Sequence, residues 1–168
     1  MGLQLRPARP EDALAIATVR VRGWRETYTF LSAQLLASMD PSAREEQLRD
    51  QIELGIGTFV VAEVDGEIRG FAVSGPPAED DAPRDLELAM IYQVASMHGT
   101  GSGQALLEAV IGTEPAFLWT AELNPRAHAF YRRNGFVADG ERKVAVHWEN
   151  LAEIRMVRRR TSPQSSST

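Results

Sequence analysis

The stretch "MHGTGSGQALLEAVIG", residues 97–112, decides the fold, because three glycines alternate with two small hydroxyl residues ahead of an apolar run. The preceding "RDLELAMIYQVAS", residues 84–96, predicts a strand that is buried first on one face and then on both. Residues 102–111 predict a helix whose apolar stripe is Ala105, Leu106, Ala109 and Val110. A strand, a glycine-rich turn and a helix start bring unpaired N–H groups together at the positive end of the helix dipole. The stretch therefore predicts an anion site.

Two nucleotide-binding motifs compete for this pattern. The Walker P-loop requires a lysine after its last glycine, and no lysine stands near the three glycines. The dinucleotide fingerprint G-x-G-x-x-G would need a glycine where the chain has Gln104 or Leu106, although Glu122 follows at about the right distance. A nicotinamide-dependent oxidoreductase stays an alternative, which a titration with NAD(P) tests.

The rest of the chain predicts a mixed sheet flanked by helices. Asp65-Gly66 is the pair that a two-residue hairpin turn prefers, and Asn124 and Pro125 are typical of a helix start. "PPAEDDAP", residues 76–83, predicts a surface loop. Strands are predicted at 3–6, 58–64, 67–75, 84–96, 116–123, 136–150 and 152–159, and helices at 9–24, 24–39, 41–55, 102–111 and 124–135. Within the predicted helix 24–39, Trp24, Tyr28 and Leu31 form an aromatic stripe typical of core.

Composition excludes several classes of function. The chain has 168 residues, 43% of them apolar, and a net charge of −5, so it predicts one globular domain without a basic surface for nucleic acid. The absence of cysteine excludes disulfides, thiolate metal sites and a cysteine nucleophile, and we expect no metal. Apolar runs of about five residues are far shorter than a membrane helix needs, so we expect a cytoplasmic protein with no membrane partner.

The pattern from "LELAMIYQV" through "HGTGSGQALL" to "LNPRAHAFYRRNGF" resembles the GNAT superfamily of acyl-CoA N-acyltransferases. "LRPARPEDALAI" is similar to the family's opening strand and helix, "WRETY" to its acceptor-side helices, and "AEIRMVR" to its last strand. The resemblance implies a single α/β domain at residues 1–160, with a mostly antiparallel sheet of about seven strands that is splayed at the acyl-CoA site. Residues 161–168 are expected to be a disordered tail.

The resemblance also implies the site residues. Backbone groups of the strand end would face the pantetheine arm and the thioester, and backbone N–H groups of the glycine turn would hold the pyrophosphate. Main-chain N–H groups near Gln93 and Val94 can serve the oxyanion that develops during acyl transfer. Asn124 matches a cofactor-contacting asparagine, and Tyr131 matches a tyrosine that faces the thioester sulfur and can act as general acid. Glu87 matches a glutamate that orders a water toward the amine, and Trp24 and Tyr28 lie where the family shapes its acceptor site. The implied cofactor-binding residues are Ile91, Tyr92, Gln93, Val94, His98, Gly99, Thr100, Gly101, Ser102, Gly103, Gln104, Asn124 and Tyr131.

The implied reaction moves an acetyl group from acetyl-CoA directly to an amine in a ternary complex. His98 and Thr100 depart from the family's usual basic residues, which predicts weaker cofactor binding unless Arg126 or Arg132 reaches the 3′-phosphate. This deficit of charge keeps a non-catalytic acyl-CoA-binding domain open as the alternative. The acidic segment around residues 79–85 favours a cationic acceptor, and edge strands at the C-terminal end offer a route to a homodimer.

Overall fold

A computed structural model describes residues 2–159, so the predicted tail at 161–168 lies outside the described residues. The fold is α/β, with a mixed, mostly antiparallel sheet of seven strands in the order β1-β2-β3-β4-β5-β7-β6. The strands are β1 (Leu3–Pro7), β2 (Thr58–Val64), β3 (Glu67–Gly75), β4 (Glu87–Gln93), β5 (Ala116–Ala121), β6 (Val137–Ala145) and β7 (Leu151–Arg158). The helices are α1 (Ala13–Thr27), α2 (Ala33–Ser38), α3 (Glu45–Glu53), α4 (Ser102–Ile111) and α5 (Pro125–Arg133). The predicted fold class is confirmed.

The described chain divides into two compact units. The first unit comprises residues 2–75 and 89–110, and the second comprises 76–88 and 111–159. In the first unit, α1 buries Ile16 against Val61 and Phe71 of the β2–β3 hairpin. The second unit buries Phe117, Phe136 and Met156 almost completely. Burial of apolar side chains at about 25 cal/mol per Å² supplies the main stabilisation of both cores.

The β2–β3 hairpin is confirmed as predicted. Val64 pairs with Glu67 across the turn, and Asp65 and Gly66 have φ angles of 53° and 80°. Two consecutive positive φ angles define the primed turn whose twist matches that of paired strands, which is why the Asp-Gly pair is a strong signal.

The predicted single helix across residues 24–39 is wrong. α1 ends at Thr27, and α2 begins only at Ala33 because Ser32 has extended backbone and its Oγ accepts a hydrogen bond from Leu35 N at 3.1 Å. A serine N-cap satisfies a donor that a continuous helix would have bonded to a carbonyl. Tyr28 and Leu31 are nevertheless buried, with 7% of each exposed, as the aromatic stripe predicted.

The predicted apolar stripe of α4 is displaced by one position. Leu106, Leu107, Val110 and Ile111 are the buried residues, whereas Ala109 is exposed. The larger side chains bury more apolar area than alanine does, so they set the rotation of the helix. The strand after the acidic loop is also shorter than predicted, since it begins at Glu87 and residues 90–93 are half-buried rather than buried on both faces.

Asp12 contributes to structure through an ion pair that the sequence did not indicate. Its carboxylate accepts two hydrogen bonds from the Arg6 guanidinium, at 2.7 and 3.0 Å, and a third from Arg9 N at 2.7 Å. Only 7% of Asp12 is exposed. The Arg6 hydrogen bonds hold the pKa of Asp12 below its ordinary value and tie β1 to the start of α1.

Candidate active site

The glycine turn between β4 and α4 has the backbone of an anion cradle. Gly99 and Gly101 have φ angles of 76° and 87°, which favour glycine. A methyl group added at either residue would meet no heavy atom of residues 2–159 within 4 Å. The first intrahelical bond of α4 is Ala105 N to Gly101 O at 3.1 Å, so the N–H groups of Gly101 and Gly103 precede the ladder. The turn therefore presents main-chain donors beside open space.

Side-chain hydroxyls fix the shape of this turn. Ser102 is fully buried, and its Oγ donates to Gln93 Oε1 at 2.6 Å. Thr100 Oγ1 donates to Met97 O at 2.7 Å. These bonds join the end of β4 to the start of α4, so the side chains of Gln93, Thr100 and Ser102 hold the scaffold and leave ligand contacts to the backbone. Gln104 reaches along its own helix, with Nε2 donating to Glu108 Oε1 at 2.8 Å.

The end of β4 supplies fewer backbone donors than the resemblance implied. Val94 N donates to Arg69 O at 2.9 Å, so this N–H is engaged in structure. Ile91, Tyr92 and Gln93 are half-buried, whereas Val94 is buried. An N–H group already bonded to a carbonyl cannot also stabilise a developing oxyanion without breaking that bond, which corrects the expectation for Val94.

The two aromatic residues predicted for the acceptor site are buried in the first unit. Trp24 Nε1 donates to Tyr92 Oη at 3.0 Å, and the Trp24 and Tyr28 rings meet edge to face at 4.7 Å. They are 5% and 7% exposed respectively. The two rings therefore pack in the hydrophobic core of the first unit, and a substrate-binding role for either residue remains a prediction.

Asn124 and Tyr131 lie at the two ends of α5 in the second unit. Asn124 is the N-cap, and its Oδ1 accepts from Ala127 N at 3.2 Å, as the sequence predicted. Tyr131 is 8% exposed, and its ring lies 6.0 Å from that of Phe136. Both side chains thus have clear structural contacts, and their cofactor and acid roles remain predictions.

Glu87 occupies the start of β4, also in the second unit. Burial raises the pKa of its carboxyl above the ordinary value, and the nearby Glu79 carboxylate raises it further. Within residues 2–159 the Glu87 side chain has neither a hydrogen-bond nor an ion-pair partner. A half-buried carboxyl with a raised pKa is suited to accepting a proton near neutral pH.

Comparison with known proteins decides the family. A family model described as acetyltransferase (GNAT) domain matches residues 55–138, which include the glycine turn. The chain is a member of the GNAT acetyltransferase family.

Full-length relatives agree with this assignment. The chain is 29% identical over 168 residues to the uncharacterized N-acetyltransferase YuaI of Bacillus subtilis, covering 90% of this chain and 95% of YuaI. Its fold is similar to that of PaiA N-acetyltransferase from Thermoplasma acidophilum in complex with coenzyme A, at 19% identity and a TM-score of 0.75, over 95% and 99% of the two chains. It is also similar to that of yncA from Salmonella typhimurium with its cofactor acetyl-CoA, at 18% identity and a TM-score of 0.68, over 100% and 99%.

Three further observations concern the described residues of this GNAT chain. The described residues contain no group of three or more His, Cys, Asp or Glu side chains suited to a metal ion. None of the helices in residues 2–159 is long and apolar enough to span a membrane. Around Trp119, the second unit gathers charged side chains whose clustering the sequence did not indicate. Two signals pointed to single members of the cluster: the acidic segment at residues 79–85, which contains Glu79, and Lys143, the single lysine of the chain.

Proposed function

We propose that this GNAT enzyme transfers an acetyl group from acetyl-CoA to an amine by direct transfer in a ternary complex. The observation that carries the proposal is the glycine turn, whose left-handed glycines and early α4 N–H groups border open space. PaiA and yncA, which share the fold, are described with coenzyme A and with acetyl-CoA. The N-terminus of a helix favours a phosphate through its unpaired N–H groups and its dipole.

The glycine turn would hold the pyrophosphate through the backbone N–H groups of Gly99, Gly101, Gly103 and Gln104. The N–H groups of Thr100 and Ser102 are engaged within the turn, with Met97 O at 3.3 Å and with Thr100 Oγ1 at 3.4 Å. Its residues fit this group sterically, because Gly99 and Gly101 leave the room that a side chain would fill. The turn has no lysine or arginine, so we expect weaker binding than a basic turn would give. Arg126 and Arg132 are exposed on α5 and are the candidates for the 3′-phosphate.

Acyl transfer requires a neutral amine, an oxyanion donor and a proton for the leaving thiolate. An alkyl amine with a pKa of about 10.4 is almost wholly protonated at pH 7, so a base is needed. Glu87 is our candidate, acting through a water, and its raised pKa matches that task. With Val94 N engaged, Gln93 N–H is the proposed oxyanion donor, and Tyr131 is the proposed acid for the thiolate. A chain without cysteine has no thiol to carry an acyl intermediate, which favours direct transfer.

Two measurements test the proposal. Calorimetric titration of acetyl-CoA should give saturable binding, and release of the coenzyme A thiol should require an added amine from a panel of alkyl amines, amino acids and peptides. Binding without thiol release with any amine would favour the non-catalytic alternative. Binding of NAD(P) but not of acetyl-CoA would overturn both readings.

A homodimer is a separate proposal. β6 is an edge of the sheet, and its residues from Val137 to Val144 are exposed. An edge strand offers unpaired backbone groups to a second strand. Sedimentation of the full chain tests the proposal, since a dimer would shift to monomer when a proline replaces Val144, whereas a monomeric wild type would contradict it.

A further inference from the structure

Lys143 is the single lysine of this protein. The chain has 18 basic residues, and every one except Lys143 is an arginine. Arginine makes planar, bidentate hydrogen bonds, whereas lysine presents a compact ammonium on a flexible stem. A lone primary ammonium in such a chain is the one side chain that carries the same charged group as an alkyl amine substrate.

The ammonium of Lys143 lies on an aromatic face with carboxylates around it. Its Nζ is 4.1 Å from the centroid of the Trp119 ring, a distance at which a cation is attracted by the ring face. Glu153 Oε2 and Glu79 Oε1 are 3.9 and 4.0 Å from the same nitrogen. Glu79 also accepts from Trp119 Nε1 at 2.5 Å, which fixes the indole against the carboxylate. We call Trp119, Glu79 and Glu153 the ammonium cradle.

Lys143 is held loosely in the ammonium cradle. Both carboxylate distances exceed the roughly 2.8 Å of a charge-assisted hydrogen bond. Its side chain is 45% exposed and stands on the edge strand β6, so it can leave without disturbing a core. By contrast, Arg155 Nε holds Asp139 at 2.7 Å and is 13% exposed. An exposed ion pair of the Lys143 kind contributes little to stability.

The cradle carries more negative than positive charge. Glu79 and Glu153 of the cradle, together with the neighbouring Glu87 and Asp139, are four carboxylates, whereas Lys143 and Arg155 supply two positive charges. Arg155 pairs with Asp139 at 2.7 Å and with Glu79 at 4.0 Å. Burial raises the pKa of both Glu87 and Glu153, and the Lys143 charge offsets this only in part. A guest with two ammonium groups would neutralise the carboxylates more completely than Lys143 does.

We propose that the ammonium cradle is a binding site for a cationic aliphatic amine, best a diamine, and that Lys143 occupies it as an internal competitor. Binding of the amine to the cradle does not depend on the proposed acetyl transfer. The proposal rests on that function only where it makes the bound amine the acceptor of the acetyl group. One ammonium group of the diamine takes the place of Lys143 on the face of the Trp119 ring. The second ammonium group of the diamine forms ion pairs with the remaining carboxylates.

Calorimetric binding of 1,5-diaminopentane tests this, with 1-aminopentane as the probe that lacks a second charge. In Lys143→Ala, the diamine should bind about fivefold more tightly than in the wild type, since the competitor is gone. Arg142→Ala is the matched control, because Arg142 is the neighbouring cation on the same strand but pairs with Glu122 at 2.9 Å. It should leave diamine affinity within about twofold, while Glu79→Gln should weaken it several-fold.

Three results would overturn the proposal: equal affinity of Lys143→Ala and wild type, equal gains in Arg142→Ala and Lys143→Ala, or a monoamine that binds as well as the diamine. Coenzyme A release separates this proposal from the proposed function. Tighter diamine binding in Lys143→Ala without acetylation of any amine would support the amine-binding site and contradict the proposed acetyl transfer. Acetylation of other amines with no diamine binding would keep the enzyme and reject the cradle.

Discussion

Replacing Gly101 by alanine is the sharpest test of the glycine turn, because Gly66 offers a matched control. Both residues belong to the first unit and have φ angles of 87° and 80°, and neither would bring a new methyl group within 4 Å of a described heavy atom. The backbone strain introduced by alanine is therefore similar at the two positions. Only Gly101 lies in the proposed pyrophosphate cradle.

The expected magnitudes differ between stability and binding. An L-residue in the left-handed region costs about 1–2 kcal/mol, and alanine recovers about 0.4–1 kcal/mol by restricting the unfolded chain. Each variant should therefore lose roughly 1 kcal/mol of unfolding free energy, which lowers Tm by about 2–4 °C for a domain of this size. Gly101→Ala should also weaken acetyl-CoA binding by at least about tenfold, because the methyl group displaces a charge-assisted N–H contact.

Urea denaturation and calorimetric titration of acetyl-CoA measure the two quantities on the same preparations. Gly66→Ala should lose stability but keep the acetyl-CoA affinity of the wild type. If the acetyl-CoA affinity of Gly101→Ala were likewise within twofold of the wild-type affinity, the glycine turn would not be the pyrophosphate-binding site.

Three other variants test the chemistry and the scaffold. Tyr131→Phe should lower kcat by about 100-fold if the phenol protonates the thiolate, with acetyl-CoA affinity retained; an unchanged kcat in a steady-state assay removes that role. Burial raises the pKa of Glu87 above its ordinary 4.5, so wild-type kcat/KM should rise with pH through that raised pKa, and Glu87→Gln should lose this limb. Because the pKa of Glu87 is raised in the folded state, protonated Glu87 contributes stability below pH 4.5, and this contribution is lost as pH rises through the raised pKa. The Glu87→Gln variant should therefore gain unfolding free energy relative to the wild type toward neutral pH. Asp12→Asn should cost about 2 kcal/mol at pH 7 by urea denaturation, because Arg6 loses a charged partner. Since Arg6 lowers the pKa of Asp12, the wild type should lose this advantage as pH falls below 3.8, and a difference that persists at lower pH would contradict the assignment.

Local signals predicted the parts of the fold that depend on few neighbouring residues. The Asp65-Gly66 turn, the Asn124 cap and the glycine turn each follow from backbone preferences within about five residues. The break at Ser32 was also local, but an apolar pattern with helical spacing concealed the N-cap. Periodicity reports which side chains can be buried, and a capping hydrogen bond decides where a helix begins.

Contacts between distant segments could not be predicted from one sequence. The ammonium cradle joins a loop residue, Glu79, to residues on β5 and β7, and Lys143 reaches it from β6. The bond from Val94 N to Arg69 O likewise depends on the register of two strands. Register is fixed by packing of the whole sheet, so the loss of Val94 as an oxyanion donor became visible only in the structure.

The most direct test of the account is product analysis after mixing the protein with acetyl-CoA and an acceptor amine. Mass spectrometry should find the N-acetyl amine and free coenzyme A in equal amounts. Because the acetyl group is transferred directly, the same spectra should show no acetylated form of the protein as an intermediate. Consumption of acetyl-CoA that yields acetate but no N-acetyl amine, or no consumption with any amine in the panel, would contradict acetyl transfer by this protein.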